Sequence, residues 1–347
     1  MREIEEEFIT FIEAWASAII SISYCYYISQ NIKAGFFRLI SLLPVGALFF
    51  VLPLFFSSAH FSFLTSGFLT WQANLKLLLF AFDKSPLSTT PPNLIHFLCF
   101  ICLPIYPQRN PNSQDPFPKW LFAVKVLLFG VVLHVCSNHI EKLHPILLLG
   151  LYPLHVYLSH EIPLTLLNDL LTITLGCDLE PQFNEPYLAT SLQDFWGRRW
   201  NLPVSALLRS SVFIPVRRVC SHLMNSERAA IIGVLASFLV SGLLHEMMFF
   251  YITREAPTWE VTWYFVLHGV CTVAEVIVKR KKFVGRWMVR PVVSRLLTVG
   301  FVVLSGGWLF FPQIKRSGVI KRFASESLLF TDLIKHDLSI FLGLVEP

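Results

Sequence analysis

The chain has 347 residues, of which 54% are hydrophobic and 15% are charged, whereas a soluble protein usually carries about 25% charged residues. Its 28 basic and 23 acidic residues are clustered, and the stretches 85–108 and 229–244 contain none of them. This pattern excludes a disordered chain, a basic nucleic-acid-binding domain and an ordinary soluble enzyme. It predicts an all-α, polytopic integral membrane protein.

Apolar runs divide the chain into predicted membrane helices, because a helix needs about 20 apolar residues to cross the hydrocarbon core. The strong runs are 8–27, 36–56, 121–136, 229–251, 259–278 and 296–311. Weaker runs, which are short or broken by Pro, Asn or Lys, are 61–82, 95–106, 146–158, 164–175, 204–216 and 328–344. Together they predict roughly eight to ten transmembrane helices, with re-entrant or interfacial helices among the weaker runs.

The chain is predicted to form a single integral membrane domain over 1–347, because no hydrophilic block is long enough to fold alone. Within it we distinguish an N-terminal helix set (1–82), a Pro-rich connection (83–119) and a catalytic helix set (120–347). The eight prolines of the connection predict a flexible or extended segment.

The two most basic loops, 279–290 and 315–322, are both expected on the cytoplasmic side of the membrane. They flank the run 296–311, which contains Gly306-Gly307. This run is therefore expected to enter and leave on one side, or to break at the glycines into a hairpin.

Ionisable groups inside apolar runs are costly in lipid, so each of them is a functional hypothesis. The run 229–251 contains His245 and Glu246 side by side, and Ser237 and Ser241 share a helix face with His245. A neutral imidazole at this depth can accept a proton from a hydroxyl group, which predicts a general base. The alternative is a structural histidine that is hydrogen-bonded between helices.

Residues 194–201 form a second polar intrusion, with the sequence DFWGRRWN. Tryptophan and arginine together are typical of the membrane–water interface. The two arginines could instead hold a phosphorylated ligand by bidentate contacts. The residues concerned are Trp196, Arg198, Arg199 and Trp200.

Other polar residues favour structural interpretations. His268 and Glu275 are seven residues apart on one helix face, which predicts a hydrogen-bond network. His155 and His160 precede the sequence Glu-Ile-Pro at 161–163, which predicts an interfacial hinge. The seven cysteines form neither a metal-ligand pattern nor an even set for disulfides.

The motifs DFWGRRWN and SGLLHE (241–246), with Asn201 and His245 44 residues apart, resemble the membrane-bound O-acyltransferase (MBOAT) family. Within that family the chain is similar to the plant wax synthases, which are long-chain-alcohol O-fatty-acyltransferases. The stretches 138–144 and 179–186 are similar to the same group, so the resemblance covers essentially the whole chain.

The resemblance implies that a fatty acyl group passes from acyl-CoA to the hydroxyl of a long-chain fatty alcohol, giving a wax ester and free CoA. It implies that His245 is the general base, that Asn201 positions or polarises the reacting groups, and that Glu246 supports them. Acyl-CoA is a co-substrate, and neither a metal nor another cofactor is expected. The residues expected to bind substrate are Trp196, Arg198, Arg199, Trp200 and Ser241, with Arg217 and Arg218 as further candidates for the CoA phosphates.

Two alternatives remain open at this point. The acceptor could be a sterol rather than a fatty alcohol, since the apolar composition fits both, and a diacylglycerol is a third option. A membrane transporter would use intramembrane His and Glu as an ion path, but the two halves of the chain show no matching broken helices. The expected location is the endoplasmic reticulum membrane, and the expected partners are acyl-CoA, the alcohol and lipid rather than nucleic acid.

Overall fold

The computed structural model describes residues 2–84, 93–108, 119–280, 290–327 and 329–330. Within these ranges the regular structure is helical, apart from one isolated β-bridge between Pro107 and Leu179. The prediction of an all-α, polytopic protein is confirmed.

Helices follow one another along the described ranges, and three pairs of them are joined by π-helical segments into continuous helices. The helices are α1 (Arg2–Asn31), α2 (Phe36–Val51), α3 (Ala59–Thr65), α4 (Asn74–Ala81), α5 (Leu94–Cys102), α6 (Lys119–Asn138), α7 (Pro145–Leu175), α8 (Leu192–Arg198), α9 (Leu202–Leu208), α10 (Ile214–Ser221), α11 (Ser226–Thr253), α12 (Glu260–Arg280), α13 (Pro291–Ser305) and α14 (Phe311–Arg316). The π-helical segments are Ser66–Ala73, Arg209–Phe213 and Gly306–Phe310.

Six helical stretches are long and apolar enough to cross a membrane, and they match the six strong apolar runs. They are Glu5–Asn31, Phe36–Phe55, Trp120–Asn138, Ser226–Thr253, Glu260–Arg280 and Pro291–Arg316. Two further continuous helices, 59–81 and Pro145–Leu175, exceed by length the roughly 20 residues that a crossing requires. Helix length alone thus reaches the lower end of the predicted eight to ten helices, whereas length and apolarity together give six in the described ranges.

Helix α7 is continuous although Pro153 and Pro163 lie inside it. The predicted hinge at 161–163 is therefore wrong, and the two histidines that precede it lie within the helix. Neighbouring helices compensate for proline in membrane helices. The charge of Glu161 does not break the helix either, because it is buried and paired with Lys125 at 2.6 Å.

The stretch Pro291–Arg316 is likewise one helix, in which the π-helical segment Gly306–Phe310 continues α13 into α14. The predicted hairpin at the two glycines is therefore wrong. A π-helical turn widens a helix locally without reversing the chain. The helix consequently has the length to carry the chain from one membrane face to the other.

The two basic segments lie at opposite ends of this helix. Both can face the cytoplasm only if the helix does not cross the membrane, so their common cytoplasmic location stays a prediction. Residues 279–280 and 290 precede it, whereas 315–322 follow it, and 281–289 lie outside the described residues. At the second end, Arg316 forms an ion pair with Glu260. Part of that positive charge is thus matched by an acidic neighbour, which the count of basic residues along the sequence ignores.

Part of the predicted Pro-rich connection is packed helix rather than extended linker. Helix α5 lies within residues 93–108, and its Phe97 and Ile101 are completely buried. Phe97 packs against Tyr26 of α1 and Phe80 of α4. The apolar sequence of α5 outweighs the surrounding prolines. The rest of the connection, at 85–92 and 109–118, lies outside the described residues.

Helices α11 and α12 pack closely against each other at Gly242. A Cβ atom at this position would lie 3.0 Å from Thr262 Cα and 3.1 Å from the Thr262 carbonyl oxygen. These are backbone atoms that cannot rotate away, so glycine is what allows the approach.

Gly242→Val is expected to destabilise the protein by about 1–3 kcal/mol, because the added side chain forces the two helices apart. Thermal unfolding of the purified protein in detergent measures the effect. Gly300→Val is the matched control, since a Cβ at Gly300 meets nothing within 4 Å. Equal unfolding temperatures for the two variants would contradict the close packing.

Candidate active site

His245 lies on α11, eight residues before its end, which places it about 12 Å along the helix from Thr253. Its Nδ1–H donates a hydrogen bond to the carbonyl oxygen of Ser241, at 2.7 Å. Since a carbonyl oxygen only accepts, the neutral ring carries its proton on Nδ1 and its lone pair on Nε2. Nε2 has no hydrogen-bond partner in the described ranges and is therefore available to take a proton.

Aromatic rings surround the imidazole of His245. The ring centroids of Phe265, Trp71 and Phe310 lie 4.3, 4.6 and 6.1 Å from it. Trp71 and Phe310 come from two of the π-helical segments. The side chain of His245 is only partly buried, so its surroundings are apolar but do not close it off completely.

Glu246 is turned toward α12 rather than toward the ring beside it. Its carboxylate is buried and accepts hydrogen bonds from the backbone N–H of Trp259 at 2.8 Å and of Thr262 at 3.2 Å. The Thr262 hydroxyl donates a third, at 3.0 Å. A carboxylate at a helix N-terminus is favourable, so Glu246 fixes the start of α12. It makes no hydrogen bond to His245 in the described ranges.

The DFWGRRWN motif begins in α8, which is held against α12 by two polar contacts. Trp196 Nε1–H donates to His268 Nδ1 at 3.0 Å, so His268 carries its proton on Nε2 and donates it to Ser305 Oγ at 2.9 Å. About two turns further along the same face of α12, Glu275 accepts from the backbone N–H of Leu192 at 2.8 Å. The predicted hydrogen-bond network of His268 and Glu275 therefore connects α8, α12 and α13.

Trp196→Phe is expected to destabilise the protein by about 1–3 kcal/mol, because the acceptor nitrogen of the fully buried His268 loses its donor. Unfolding in detergent measures the change. Trp308→Phe is a suitable control, since Trp308 is exposed. A Trp196 variant as stable as this control would show that the hydrogen bond contributes nothing.

A single aromatic ring separates the motif from His245. The Trp196 ring lies 5.6 Å from Phe265, which is itself 4.3 Å from the imidazole. Trp200 stacks on Phe195 at 5.5 Å and takes no direct part in this contact. The structure thus brings Trp196 close to the histidine but leaves Trp200 in the packing of the motif.

The two arginines of the motif differ in their surroundings. Arg199 donates to Asp194 at 2.8 Å, and to the carbonyl oxygens of Asn184 at 3.1 Å and Glu185 at 3.3 Å. Its guanidinium is therefore occupied within the protein. Arg198 is exposed and has no ion pair or hydrogen bond in the described ranges, so it remains a candidate for binding an anionic ligand.

Asn201 ends the motif and caps the N-terminus of α9. Its backbone is left-handed, with φ 41° and ψ 68°, and its Oδ1 accepts from the backbone N–H of Val204 at 3.3 Å. The cap assigns the orientation of the amide. The Nδ2 group has no partner in the described ranges and is left as a free donor, and no hydrogen bond joins Asn201 to His245.

A groove of about 520 Å³ opens between α10, α11 and α12, and its lining combines two arginines with several aliphatic side chains. Arg217, a predicted phosphate ligand, lines it together with Arg280, whereas Arg218 does not. Buried Thr272 also lines the groove, and its hydroxyl has no hydrogen-bond partner. Glu227 also lines the groove and is paired with Arg280 at 2.8 Å. Arg217, beside the aliphatic side chains, is therefore the arginine of this groove that suits a ligand with an anionic head and a fatty tail.

The strongest missed feature is a buried ion-pair cluster of Lys125, Glu161 and Glu185. Sequence reasoning treated Glu161 as a helix break and passed over Lys125 inside a strong apolar run. A lysine in such a run needs an acidic partner, so Lys125 is the sequence signal that indicates a buried pair with glutamate.

Comparison with known proteins agrees with these observations. A sequence model described as "Membrane bound O-acyl transferase family" matches residues 179–267, which include both motifs. "Probable long-chain-alcohol O-fatty-acyltransferase 3" of Arabidopsis thaliana is 59% identical over 340 residues, covering 97% of this chain and 99% of that protein. "Probable long-chain-alcohol O-fatty-acyltransferase 9" of the same plant is 60% identical over 341 residues, covering 97% and 100%. The chain therefore belongs to the membrane bound O-acyl transferase family, together with these relatives.

Proposed function

We propose that the protein transfers a fatty acyl group from acyl-CoA to the hydroxyl of a long-chain fatty alcohol, forming a wax ester and CoA. The observation that carries this proposal is His245, whose Nδ1–H is tied to the backbone while Nε2 is left free among aromatic rings. The names of the relatives, which align over nearly their whole length, support the same substrate pair.

In the proposed reaction, Nε2 of His245 takes the hydroxyl proton while the alcohol oxygen attacks the thioester carbon. The resulting tetrahedral intermediate collapses as its C–S bond breaks. The leaving CoA thiolate receives the proton from the imidazolium, so His245 is neutral again. Apolar surroundings restrict water, which would otherwise compete as the nucleophile.

Asn201 is proposed to donate its free amide N–H to the oxyanion that develops on the thioester oxygen, a contact that strengthens in the transition state. Glu246 is proposed to act indirectly, by fixing α12 and thereby Phe265 beside the imidazole. Arg198 and Arg217 are proposed to bind the CoA phosphates, since both lie at accessible positions. No step of this scheme requires a metal or a further cofactor.

Expression in a host that lacks neutral-lipid synthesis tests the proposal. Membranes are supplied with labelled acyl-CoA and either a long-chain alcohol or a sterol, and the lipid products are identified by mass spectrometry. Wax ester formation that is absent from vector-only membranes is expected. Formation of sterol ester alone would show that the acceptor is a sterol rather than a fatty alcohol. Absence of ester with both acceptors would contradict the proposed acyl transfer.

The proposed location is the endoplasmic reticulum membrane, following the resemblance to wax synthases. Co-fractionation of the tagged protein with a marker of that membrane tests it. Enrichment in a different membrane fraction would contradict the proposed location without affecting the proposed chemistry.

A further inference from the structure

A buried lysine joins three parts of the protein. Lys125 of α6 donates to Glu161 Oε1 of α7 at 2.6 Å and to Glu185 Oε1, in the loop before α8, at 2.8 Å. The three side chains are no more than 9% exposed. Removing one partner from such a cluster leaves a buried charge uncompensated, so Lys125 holds the position of Glu185 firmly.

The loop that carries Glu185 is paired with the segment that carries Asn201. The backbone N–H of Asn184 donates to the Arg199 carbonyl oxygen at 2.8 Å, and the backbone N–H of Leu202 donates to the Gln182 carbonyl oxygen at 2.9 Å. Asn201 therefore lies between two main-chain hydrogen bonds to the loop 182–185.

Both paired segments contain a residue with left-handed backbone. Glu185 has φ 43° and Asn201 has φ 41°. Asparagine tolerates this conformation, whereas glutamate adopts it only where the surrounding structure enforces it. The ion pair with Lys125 is an interaction that can enforce it at Glu185.

We propose that Lys125 is a positioning residue for Asn201. Through Glu185 it fixes the loop 182–185, and the loop fixes the backbone on both sides of Asn201. This proposal rests on the proposed function, in which the Asn201 amide meets the developing oxyanion. A displacement of such a group by about 1 Å is sufficient to cost about a hundredfold in rate.

The kinetic test is a double-mutant cycle between Lys125→Met and Asn201→Ala, with ester formation normalised to folded enzyme. Lys125→Met alone is expected to lower kcat about ten- to a hundredfold, with little change in the KM for acyl-CoA. In the Asn201→Ala background the same substitution is expected to lower kcat by less than about twofold. Equal losses in both backgrounds, or an unchanged kcat in the single variant, would overturn the proposal.

Two further variants separate positioning from a general loss of structure. Lys125→Arg keeps a cation between the two glutamates and is expected to recover most of the activity. Lys321→Met removes the lysine from the exposed pair with Glu141 and is expected to leave kcat unchanged. A Lys125→Arg variant as impaired as Lys125→Met would contradict the role of the ion pair.

Hydrogen–deuterium exchange provides a readout that does not depend on ester formation. Lys125→Met is expected to speed exchange at the amides of Asn184 and Leu202, while the amides around His245 stay protected. Unchanged exchange in these two amides would reject the proposal even if the wild-type protein is active. Absence of ester formation by the wild-type protein would instead contradict the proposed function. The exchange result would still show whether Lys125 fixes the backbone around Asn201.

Discussion

Replacing His245 by alanine is expected to abolish ester formation while the protein continues to accumulate in membranes. General acid–base catalysis contributes about 10²–10⁴ in rate, so activity should fall by at least about a hundredfold. The fold should persist, because His245 is only partly buried and packs against aromatic rings rather than closing a polar network. Ester formation in membranes with equal amounts of each variant measures the effect.

The matched control for this prediction is His134→Ala, because His134 is an exposed histidine on α6. It is expected to retain wild-type activity and accumulation. Ester formation by the His245→Ala variant at more than a few per cent of the control rate would refute the general-base role. If only the His245→Ala variant fails to accumulate in membranes, His245 is required for folding rather than shown to be a base.

The second large effect is expected at Asn201. Its Oδ1 caps α9 and its Nδ2 group is the proposed hydrogen-bond donor, so a substitution can remove one function and keep the other. Asn201→Asp keeps an oxygen that accepts from the Val204 N–H but replaces the amide donor by a negative charge. If the amide stabilises an oxyanion, kcat should fall about 10²–10³-fold, while membrane accumulation should match wild type. Steady-state kinetics on detergent-solubilised enzyme measure this.

Asn201→Ala is the companion variant, since it removes both the donor and the cap. It is expected to lose activity and also about 1 kcal/mol of stability, because the Val204 N–H loses its acceptor. Wild-type kcat in the aspartate variant, combined with the stability loss in the alanine variant, would show that Asn201 serves only as a cap.

The membrane helices were predictable because lipid imposes a simple requirement on sequence. A run of about 20 apolar residues has few folded alternatives to a spanning helix, and each of the six strong runs corresponds to a helix that is long and apolar enough to span a membrane. The continuity of α7 was not predictable in the same way. Its interior prolines and Glu161 look like a break until Lys125, 36 positions earlier, is known to lie beside the carboxylate.

The same limit applies to the candidate site, where residues could be found from their own run but not their contacts with other parts of the chain. An imidazole in an apolar run is conspicuous, so His245 was found directly. The shared helix face of Ser241 and His245 was predicted, but only the structure shows that the Ser241 carbonyl oxygen accepts a hydrogen bond from the ring. Glu246 follows His245 in sequence but lies about 100° further around the helix, and only the packing of α12 shows what it binds.

The three π-helical segments have a consequence for how related chains can vary. A π-helical turn accommodates one more residue than the α-helical turn it replaces, so deleting one residue there would restore an ordinary helix rather than break it. Such a deletion within 66–73 or 306–310 would rotate Trp71 or Phe310 relative to His245. Changes in chain length by a single residue at these places can thus reshape the space around the imidazole while every membrane helix is kept.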